Sequence, residues 1–469
     1  MIGNNLSNNT ISTIDALELA RDNYKLFGIE VASGRAYPRL QDGCKSVVKR
    51  SVYGMYKEGG RSIQKLAKLA AYALPYHPHP TSISGAIVQL GENGNKLKLL
   101  DTQGNWGDSS KGIQASAERY IGGRLSNLAI DLFCDSVEYC DYMKGEIDED
   151  EPVALPALIP LCFINGVEGI PSGLPKINIP TLDISDMFDY YIEILKNKNV
   201  EFKPTKLPKP NLDIDVLSTK QEWEDILKTG KGSIKVAPRM TLDGNTITIT
   251  ALPSTKNVES VRKIVEKEIL QDKIDFTDES GKDLLIVIEK VKNKQCDMKA
   301  LFNNIYKKLT CNLSYNMAFF DSEHIYVPCS FDKVVVANLT YVMKTHQNRI
   351  QHQLDDLRRK LKILEIIQDL KSKNLVKQLF DFSHEEAIDW LTKKFKVDNE
   401  ISSAVLQKPI SYLTKEHLDE IQRLKDEIKK LEDDSSDIYE FLSKKYQEMK
   451  KKVLKETGKN TVKFIKLKK

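Results

Sequence analysis

A tyrosine flanked by arginines has the side chains best suited to covalent chemistry on a phosphate. The segment 101–124 is punctuated by glycines and ends in Arg119-Tyr120-Ile-Gly-Gly-Arg124, a stretch for which we predict a polar helix. A phenol ionises only near pH ~10, so it is a weak nucleophile unless a cation or metal stabilises its oxyanion. The Arg119 guanidinium can hold a phosphate beside the hydroxyl. These residue types allow phosphate chemistry at Tyr120; the alternative, which the Arg-Tyr dipeptide taken alone favours, is an ordinary half-buried helix residue.

A second cationic segment lies upstream of the tyrosine and begins with Gly34-Arg35. The stretch Cys44–Lys57 predicts an amphipathic helix. Its apolar face is formed by Val48, Val52, Met55 and Tyr56. Its basic side carries Lys45, Lys49 and Arg50. Lysine and arginine contacts supply affinity for a phosphate backbone without recognising base sequence, although each lysine taken singly would also suit a solvated surface.

Two histidines follow in the motif Tyr76-His77-Pro-His79, and Ser82 comes shortly after them. A His-x-His pair can bind a metal ion. Two of the seven histidines in this chain do not complete a zinc site by themselves, however. We therefore predict no metal centre from this motif.

The elements that must position these residues fall into several blocks, because 469 residues are many for one domain. Residues 1–30 are predicted to form an N-terminal arm. Residues 31–150 show short helical patterns and a short strand at 96–100, which suits a winged-helix unit. Residues 151–335 begin with several prolines, which exclude long helices there, and continue with an amphipathic helix at 258–270. Strand-like runs around that helix predict a mixed α/β tower domain; they span 232–236, 246–252 and 284–288.

Residues 336–469 are predicted to form a coiled coil. One heptad seam runs from Ile350 to Leu364 and a second from Ile421 to Met449. Between them, Ser383-x-x-Glu386 predicts a capped shorter helix. Two long helices around a small insert indicate an antiparallel arm with a knob at its tip; the alternative is an exposed helical hairpin without a role. The predicted fold class is therefore multidomain α+β, mainly α.

Composition argues against a globally basic protein, a disulfide-bonded protein and a membrane-spanning protein. Charged residues make up 29% of the chain, yet the formal net charge is only +4, so any nucleic-acid surface must be a local patch. The seven cysteines form no C-x-x-C pair, which favours reduced thiols in a cytoplasmic protein. No window approaches the roughly 20 apolar residues of a membrane span, and the first residues do not form a signal peptide. A G-x-x-x-x-G-K-[ST] phosphate loop is also absent from the sequence.

Several of these motifs together resemble the DNA-cleaving subunit of type IIA topoisomerases. That family includes gyrase A, its topoisomerase IV homologue and the medium subunit of phage topoisomerases, which is closest in size. The resemblance extends over residues 30–460. The motifs that carry it are Gly34-Arg35-Ala-Tyr-Pro, Lys49-Arg50, Tyr76-His77-Pro-His79, Arg119-Tyr120 and Asn165-Gly-Val-Glu-Gly-Ile170-Pro-Ser-Gly173.

The resemblance implies a role for each of these side chains. Tyr120 is expected to attack a DNA phosphodiester and to hold the cut strand through its 5′ phosphate. Arg119, Arg35 and His79 are expected to assist at the phosphate. Ile170 is expected to enter between base steps as an apolar wedge that bends the duplex; the alternative is an isoleucine buried in a glycine-rich turn. The remaining expected DNA contacts are Lys45, Lys49, Arg50, His77, Ser82 and Arg124.

The resemblance also implies partners and cofactors. Mg²⁺ and ATP are both expected on a gyrase B-like partner protein, and no metal ligand is expected in this chain. The carboxylates of the run 148–151 and of Asp213 and Asp215 lack the family's Glu-Gly-Asp metal context, so we interpret them as solvated surface. Double-stranded DNA is the expected substrate, with a homodimer formed through the coiled-coil gate and no membrane contact. The expected location is the cytoplasm of a bacterium or of a phage-infected host cell.

Two other functions are compatible with parts of the pattern. The sequence departs from the bacterial motif at Val48, Pro80 and Thr81. These departures suit a non-catalytic DNA-binding or scaffold protein of the same fold. A tyrosine recombinase would need a His-x-x-Arg motif ahead of the tyrosine, and the sequence has none there.

Overall fold

The structure is a computed structural model. It describes residues 16–59, 62–77, 79–109, 111–145, 147, 149–281, 283–321, 325–409, 411–414, 417–457 and 463–464. The described chain is mainly helical and carries several small sheets, as a multidomain α+β protein should. Part of the predicted N-terminal arm, residues 1–15, lies outside the described residues, whereas residues 16–31 form a helix.

The first block combines short helices with a three-stranded antiparallel sheet. Its helices are α1 (Ala16–Val31), α2 (Ser46–Glu58), α3 (Leu66–Ala71), α4 (Pro80–Gly91) and α5 (Asn127–Ala129), with π-helical turns at Ala32–Ala36 and Ile130–Cys134 and a 3₁₀ turn at Val137–Tyr139. Its strands are β1 (Gln64–Lys65), β2 (Leu100–Gln103), β3 (Gly122–Leu125), β4 (Tyr142–Lys144) and β5 (Asp150–Pro152). The sheet order is β1-β3-β2, and β4 pairs with β5. Helices α2 to α4 pack against one another and against this small sheet, and the winged-helix unit stays a prediction.

Two local predictions in this block need correction. The strand predicted at 96–100 begins only at Leu100. The polar helix predicted around Tyr120 is wrong, because residues 118–120 form a turn that leads into β3. The cause lies in the strand that follows: a Cβ on Gly122 would lie 2.9 Å from the Gln64 carbonyl oxygen, so the glycine permits close pairing of β3 with β1.

The middle block is richer in strands. Its helices are α6 (Leu161–Asn165), α7 (Ile184–Asn197), α8 (Lys220–Thr229), α9 (Val258–Leu270) and α10 (Met298–Leu309). Its strands are β6 (Val167–Gly169), β7 (Ile177–Ile179), β8 (Asp215–Val216), β9 (Lys231–Ala237), β10 (Arg239–Asp243), β11 (Thr246–Ala251), β12 (Ile274–Asp278), β13 (Ile286–Lys290), β14 (Cys311–Asn316), β15 (Phe319–Phe320) and β16 (Ile325–Tyr326). The bounds of α9 are those predicted, and β9, β11 and β13 match the three predicted runs to within two residues at each end.

The last block is helical. Its elements are α11 (Phe331–Ser372), α12 (Val376–Leu379), α13 (His384–Phe395), α14 (Asn399–Leu406), α15 (Ser411–Thr414), α16 (Leu418–Ser436), α17 (Ile438–Thr457) and the short strand β17 (Lys463–Phe464). Ion pairs Arg358–Glu432 and Glu365–Lys425 join α11 to α16 in antiparallel order. The capping box predicted at Ser383 is present at the start of α13. The second seam was predicted as one helix, but it breaks at Asp437.

Three hydrophobic cores organise the described chain. The largest joins the helices of the first block to the sheet β17-β8-β9-β14-β7-β6 and to the base of α11 and α17. A second core lies between the sheet β10-β11-β13-β12 and helices α9 and α10. A third fills the knob between the end of α11 and helices α12 to α15. The candidate functional residues lie on or directly beside elements of the first core. The middle block contributes to two cores.

Candidate active site

Arg35 and His79 form an exposed pair at the surface of the first block. Arg35 lies in the π-helical turn Ala32–Ala36, and His79 is the N-cap residue of α4. The Arg35 Nη2 atom lies 2.7 Å from His79 Nε2. A guanidinium can only donate, so Nε2 accepts, and His79 carries its proton on Nδ1 in this arrangement. The remaining donors of both side chains are on an exposed surface, where an anion can reach them.

His77 and Ser82 form hydrogen bonds that lead to the main chain of His79. His77 is 4% exposed, and its Nε2 atom lies 2.9 Å from the Ser82 hydroxyl oxygen. The Ser82 hydroxyl donates to the carbonyl oxygen of His79 at 2.8 Å. On the other side of the ring, Arg50 Nη1 donates to His77 Nδ1 at 3.1 Å. Because Arg50 must donate, His77 is the tautomer with its proton on Nε2, which donates to Ser82.

Arg50 and Lys49 do not lie on a basic surface, which corrects the interpretation of helix α2. They are 5% and 2% exposed, and both pair with Glu151, which is 1% exposed. Glu151 was interpreted as solvated, and that interpretation was wrong. Burial alone would raise the pKa of its carboxyl, but hydrogen bonds from Arg50 and the charge of Lys49 hold that pKa below its usual value. Burial lowers the pKa of Lys49 to about 8. Both cations are therefore buried in the protein and do not form an exposed basic helix face.

Lys45 and Arg124 also have partners within the chain. The Lys45 ammonium donates to the carbonyl oxygen of Glu168 at 2.6 Å, and thereby holds the segment that leads to Ile170. Burial lowers the pKa of Lys45, while the charge of Glu168 opposes that shift. The Arg124 guanidinium pairs with the Asp101 carboxylate at 2.9 Å across β2 and β3. Both cations remain partly exposed, in contrast to Lys49 and Arg50.

Ile170 projects from the molecule. It follows strand β6 and is 79% exposed, so the alternative of an isoleucine buried in a glycine-rich turn is excluded. The segment that carries it packs against the segment that carries Arg35. A Cβ on Gly169 would lie 2.2 Å from the carbonyl oxygen of Ala36. The Tyr37 hydroxyl donates to the carbonyl oxygen of Pro175 at 2.8 Å, which is a second contact between the two segments.

Tyr120 is exposed in the turn before β3. Its side chain is 64% exposed, and the Arg119 guanidinium carbon lies 4.7 Å from the centre of its ring. Within the part of the chain that the structure describes, the Tyr120 hydroxyl contacts neither Arg35 nor His79. The structure therefore presents two groups of residues, Arg119–Tyr120 and Arg35–His79, that do not meet through side-chain contacts in one chain.

The carboxylates and thiols of the described residues form no metal centre. That part of the chain holds no cluster of three or more histidine, cysteine, aspartate or glutamate side chains that could bind a metal ion. Asp213 pairs with Lys96, and Asp215 pairs with Arg239. The same residues include no helix that is both long and apolar enough to cross a membrane.

The sequence pattern does not identify Glu151 as a functional residue. It closes an acidic run and is followed directly by the apolar stretch Pro152-Val-Ala-Leu-Pro. This border with an apolar stretch was the available signal that Glu151 enters the core. Its partners Lys49 and Arg50 lie about a hundred positions earlier, so the pairing itself had no local pattern.

Comparison with known proteins shows that the chain is similar to the A subunits of DNA gyrase and topoisomerase IV. The family model that describes the A subunit of DNA gyrase and topoisomerase IV matches residues 35–456. The chain is 26% identical over 456 residues to the DNA gyrase A subunit of Mycoplasma genitalium, covering 90% of this chain and 53% of the relative. It is 25% identical over 441 residues to the DNA gyrase A subunit of Staphylococcus aureus, covering 86% of this chain and 48% of the relative. The chain thus spans about half the length of the curated relatives it matches.

Proposed function

Because the chain belongs to the family of DNA gyrase and topoisomerase IV A subunits, we propose that it is the DNA breakage–reunion component of a type IIA topoisomerase. Its substrate is double-stranded DNA. Two copies form a homodimer through the coiled-coil gate, and each copy cuts one strand. A second duplex passes through the transient break before religation, which changes supercoiling and linkage.

The proposed reaction uses the exposed side chains. The Tyr120 oxygen attacks a backbone phosphorus; the bond from phosphorus to the 3′ oxygen breaks, and the phenol proton is balanced by the proton gained by the leaving 3′ hydroxyl. The 5′ phosphate stays on Tyr120, and the reverse attack reseals the strand. Arg119, Arg35 and His79 stabilise the charge that develops on the phosphate oxygens. The observation that carries this proposal is the exposure of Tyr120 together with the Arg35–His79 pair, whose donors are held ready for an anion.

The two groups of residues must be brought to one phosphate by the assembled complex. Arg119–Tyr120 and Arg35–His79 have no side-chain contact within one chain, so DNA bound to a dimer has to supply the common geometry. Ile170 contributes by inserting between base steps, which costs a few kcal/mol of unstacking and allows bent DNA to contact more protein surface. Lys45 supports this wedge through the carbonyl oxygen of Glu168.

A partner protein supplies what this chain does not. In the family, Mg²⁺ and ATP act at the level of the whole complex. The described residues offer no donor cluster that fits Mg²⁺, so no step of this mechanism is assigned to a metal ion on this chain. We propose that a gyrase B-like subunit binds both Mg²⁺ and ATP.

A cleavage assay tests the proposal. Supercoiled plasmid is incubated with the chain, Mg²⁺, ATP and the cognate ATPase subunit, and covalent complexes are trapped with detergent. We expect linear DNA with protein on its 5′ ends, lost in Tyr120→Phe and retained in Tyr24→Phe. Tyr24 is a suitable control because it is similarly exposed, at 57% against 64% for Tyr120. Covalent adducts from Tyr120→Phe would show that another residue is the nucleophile.

The same assay addresses the scaffold alternative. A non-catalytic protein of this fold would bind DNA and leave the plasmid intact in both the wild type and the variants. DNA binding without any covalent adduct, under conditions where the partner protein hydrolyses ATP, would therefore replace the enzyme proposal with the scaffold.

A further inference from the structure

Glu151 lies at the centre of a buried charged cluster beneath the candidate site. Its Oε1 atom accepts from Arg50 Nη2 at 2.9 Å, and its Oε2 atom accepts from Arg50 Nε at 3.0 Å. The Lys49 ammonium lies 3.2 Å from Oε2 and donates to the carbonyl oxygen of Pro152 at 2.7 Å. Charges this deeply buried are stable only when they are paired, because removing one partner leaves an uncompensated charge away from water. Each charged group of the cluster therefore depends on the others.

A continuous chain of hydrogen bonds leads from this cluster to the surface. Arg50 donates to His77, His77 donates to Ser82, and Ser82 donates to the His79 carbonyl oxygen, at 3.1, 2.9 and 2.8 Å. Every hydrogen bond in this series is donated in the direction from Arg50 towards His79. The reason is that the Arg50 guanidinium can only donate, which fixes the tautomer of His77. The end of the chain is His79, whose ring accepts from Arg35.

From this arrangement we propose that Glu151 is a positioning residue for the Arg35–His79 pair, and that Lys49 and Arg50 act within this buried support instead of binding DNA. The inference rests on the proposed function, since Arg35 and His79 are taken to contact the scissile phosphate. Glu151 itself touches neither DNA nor the reacting atoms. It fixes the orientation of Arg50, which in turn fixes the His77 ring and the main chain at His79.

The rival assignment makes different predictions. If Lys49 and Arg50 were phosphate ligands held in reserve by Glu151, neutralising Glu151 would release them for DNA. Each additional phosphate contact makes the dependence of binding on salt steeper by about 0.9 in the logarithmic slope. The positioning role predicts no such change, because the two cations stay inside the protein.

The first test compares Glu151→Gln with Glu149→Gln. Glu149 is an exposed acid two positions away and is the matched control. DNA affinity is measured over a range of salt concentrations, and cleavage is measured as single-turnover formation of the covalent complex with the partner protein present. Misplacement of a reacting group by about 1 Å can cost roughly a hundredfold in rate. We expect Glu151→Gln to slow cleavage roughly tenfold to a hundredfold, with the salt dependence unchanged, and Glu149→Gln to match the wild type. A steeper salt dependence or an unchanged cleavage rate for Glu151→Gln would overturn the proposal.

The second test observes the His77 hydrogen bonds directly and does not depend on DNA cleavage. Nitrogen NMR of protein labelled with ¹⁵N-histidine distinguishes a ring protonated on Nε2 from one protonated on Nδ1, and the His77 signal is assigned by its loss in His77→Gln. We expect the Nε2–H tautomer alone in the wild type and a mixture of forms in Glu151→Gln. A single unchanged tautomer in the variant would show that Glu151 does not orient this ring. If the wild type failed to cleave DNA, the proposed function would fail, while the tautomer result would still report on Glu151.

A third test, with Arg50→Lys, covers the case in which Glu151→Gln does not fold. Arg50→Lys keeps a buried cation for Glu151, but one ammonium cannot reproduce the separate donors that hold Glu151 and His77. We expect Arg50→Lys to remain folded, to lose the single His77 tautomer and to slow cleavage to a similar extent. Cleavage and a His77 signal like those of the wild type in this variant would contradict the proposed chain.

Discussion

Arg35 and His79 are 44 positions apart in sequence, and their side chains meet with Nη2 of Arg35 2.7 Å from Nε2 of His79. The contact joins the π-helical turn Ala32–Ala36 to the start of α4. The packing of these two elements sets the geometry of the pair. A site arranged in advance does not have to reorganise when charge develops on a phosphate.

This geometry predicts that arginine is required at position 35. Lysine keeps the charge, but its donors are all on one nitrogen and are not fixed in a plane, so it cannot hold His79 and a phosphate in one fixed arrangement. We expect Arg35→Lys to slow formation of the covalent complex at least tenfold while changing DNA affinity by less than about threefold, since one phosphate contact contributes only part of the total affinity. Arg21→Lys, on the exposed face of α1, is the control. An equal loss of affinity and rate would indicate a simple binding role for Arg35.

Ile170 allows a test that separates bending from binding. Because its side chain is 79% exposed, Ile170→Ala should leave the melting temperature of the protein unchanged. It should lower the bend angle of bound DNA, measured by energy transfer between dyes at the duplex ends, and reduce cleavage because the unstacked step is lost. Leu270→Ala, at a side chain that is 78% exposed at the end of α9, is the matched control. DNA bent as strongly by Ile170→Ala as by the wild type would remove the wedge assignment.

Gly169 links the wedge segment to the Arg35 segment. A methyl group there would lie 2.2 Å from the Ala36 carbonyl oxygen, so the backbone must shift. Forcing an extra carbon into a packed contact typically costs about 1–3 kcal/mol. We expect Gly169→Ala to lower the free energy of unfolding by that amount and to slow cleavage. Gly281→Ala, where a Cβ meets nothing within 4 Å, should do neither. A stable and fully active Gly169→Ala protein would show that the two segments move independently.

The features that could be predicted from the sequence depend on residues that are close together along the chain. Helix α9 has its predicted bounds, and the Ser383 capping box is present, because both depend on residues within a few positions of each other. The heptad seam of α11 was visible for the same reason. The family motifs placed Arg35 and His79 at one site, although spacing alone would not have paired them.

The wrong predictions concern partners that are distant in sequence. Lys49 and Arg50 have the pattern of a basic helix face, but Glu151 removes both from the surface, and it lies 101 positions beyond Arg50. The helix predicted at Tyr120 is wrong because local spacing does not reveal that Gly122, two residues later, lies in a strand paired with β1. The second seam breaks where Asp437 caps α17 through the amide of Glu440, a choice that heptad spacing does not reveal.

His346 provides a pH-sensitive element at the base of the arm. It is fully buried on α11, with Nδ1 3.3 Å from the Ser136 hydroxyl, while the Asp135 carboxylate pairs with Arg349 and Lys445 beside it. Burial lowers the pKa of His346 to about 3, and the charge of Lys445 adds to that effect, whereas Asp135 opposes it. The folded chain therefore keeps His346 neutral at pH values where the unfolded chain protonates it.

Because of His346, the free energy of unfolding should fall as the pH drops below about 6.5, the usual histidine pKa in the unfolded chain. The unfolded state binds the extra proton between that value and the folded pKa of about 3, so acid favours unfolding across this window. Between pH 7.5 and pH 5 the loss due to His346 is about 2 kcal/mol. The free energy of unfolding is measured with urea at both pH values. Its fall from pH 7.5 to pH 5 should be about 2 kcal/mol smaller in His346→Gln than in the wild type. The exposed His352→Gln control should keep the loss found in the wild type. An unchanged loss in His346→Gln would mean that other groups cause the acid sensitivity.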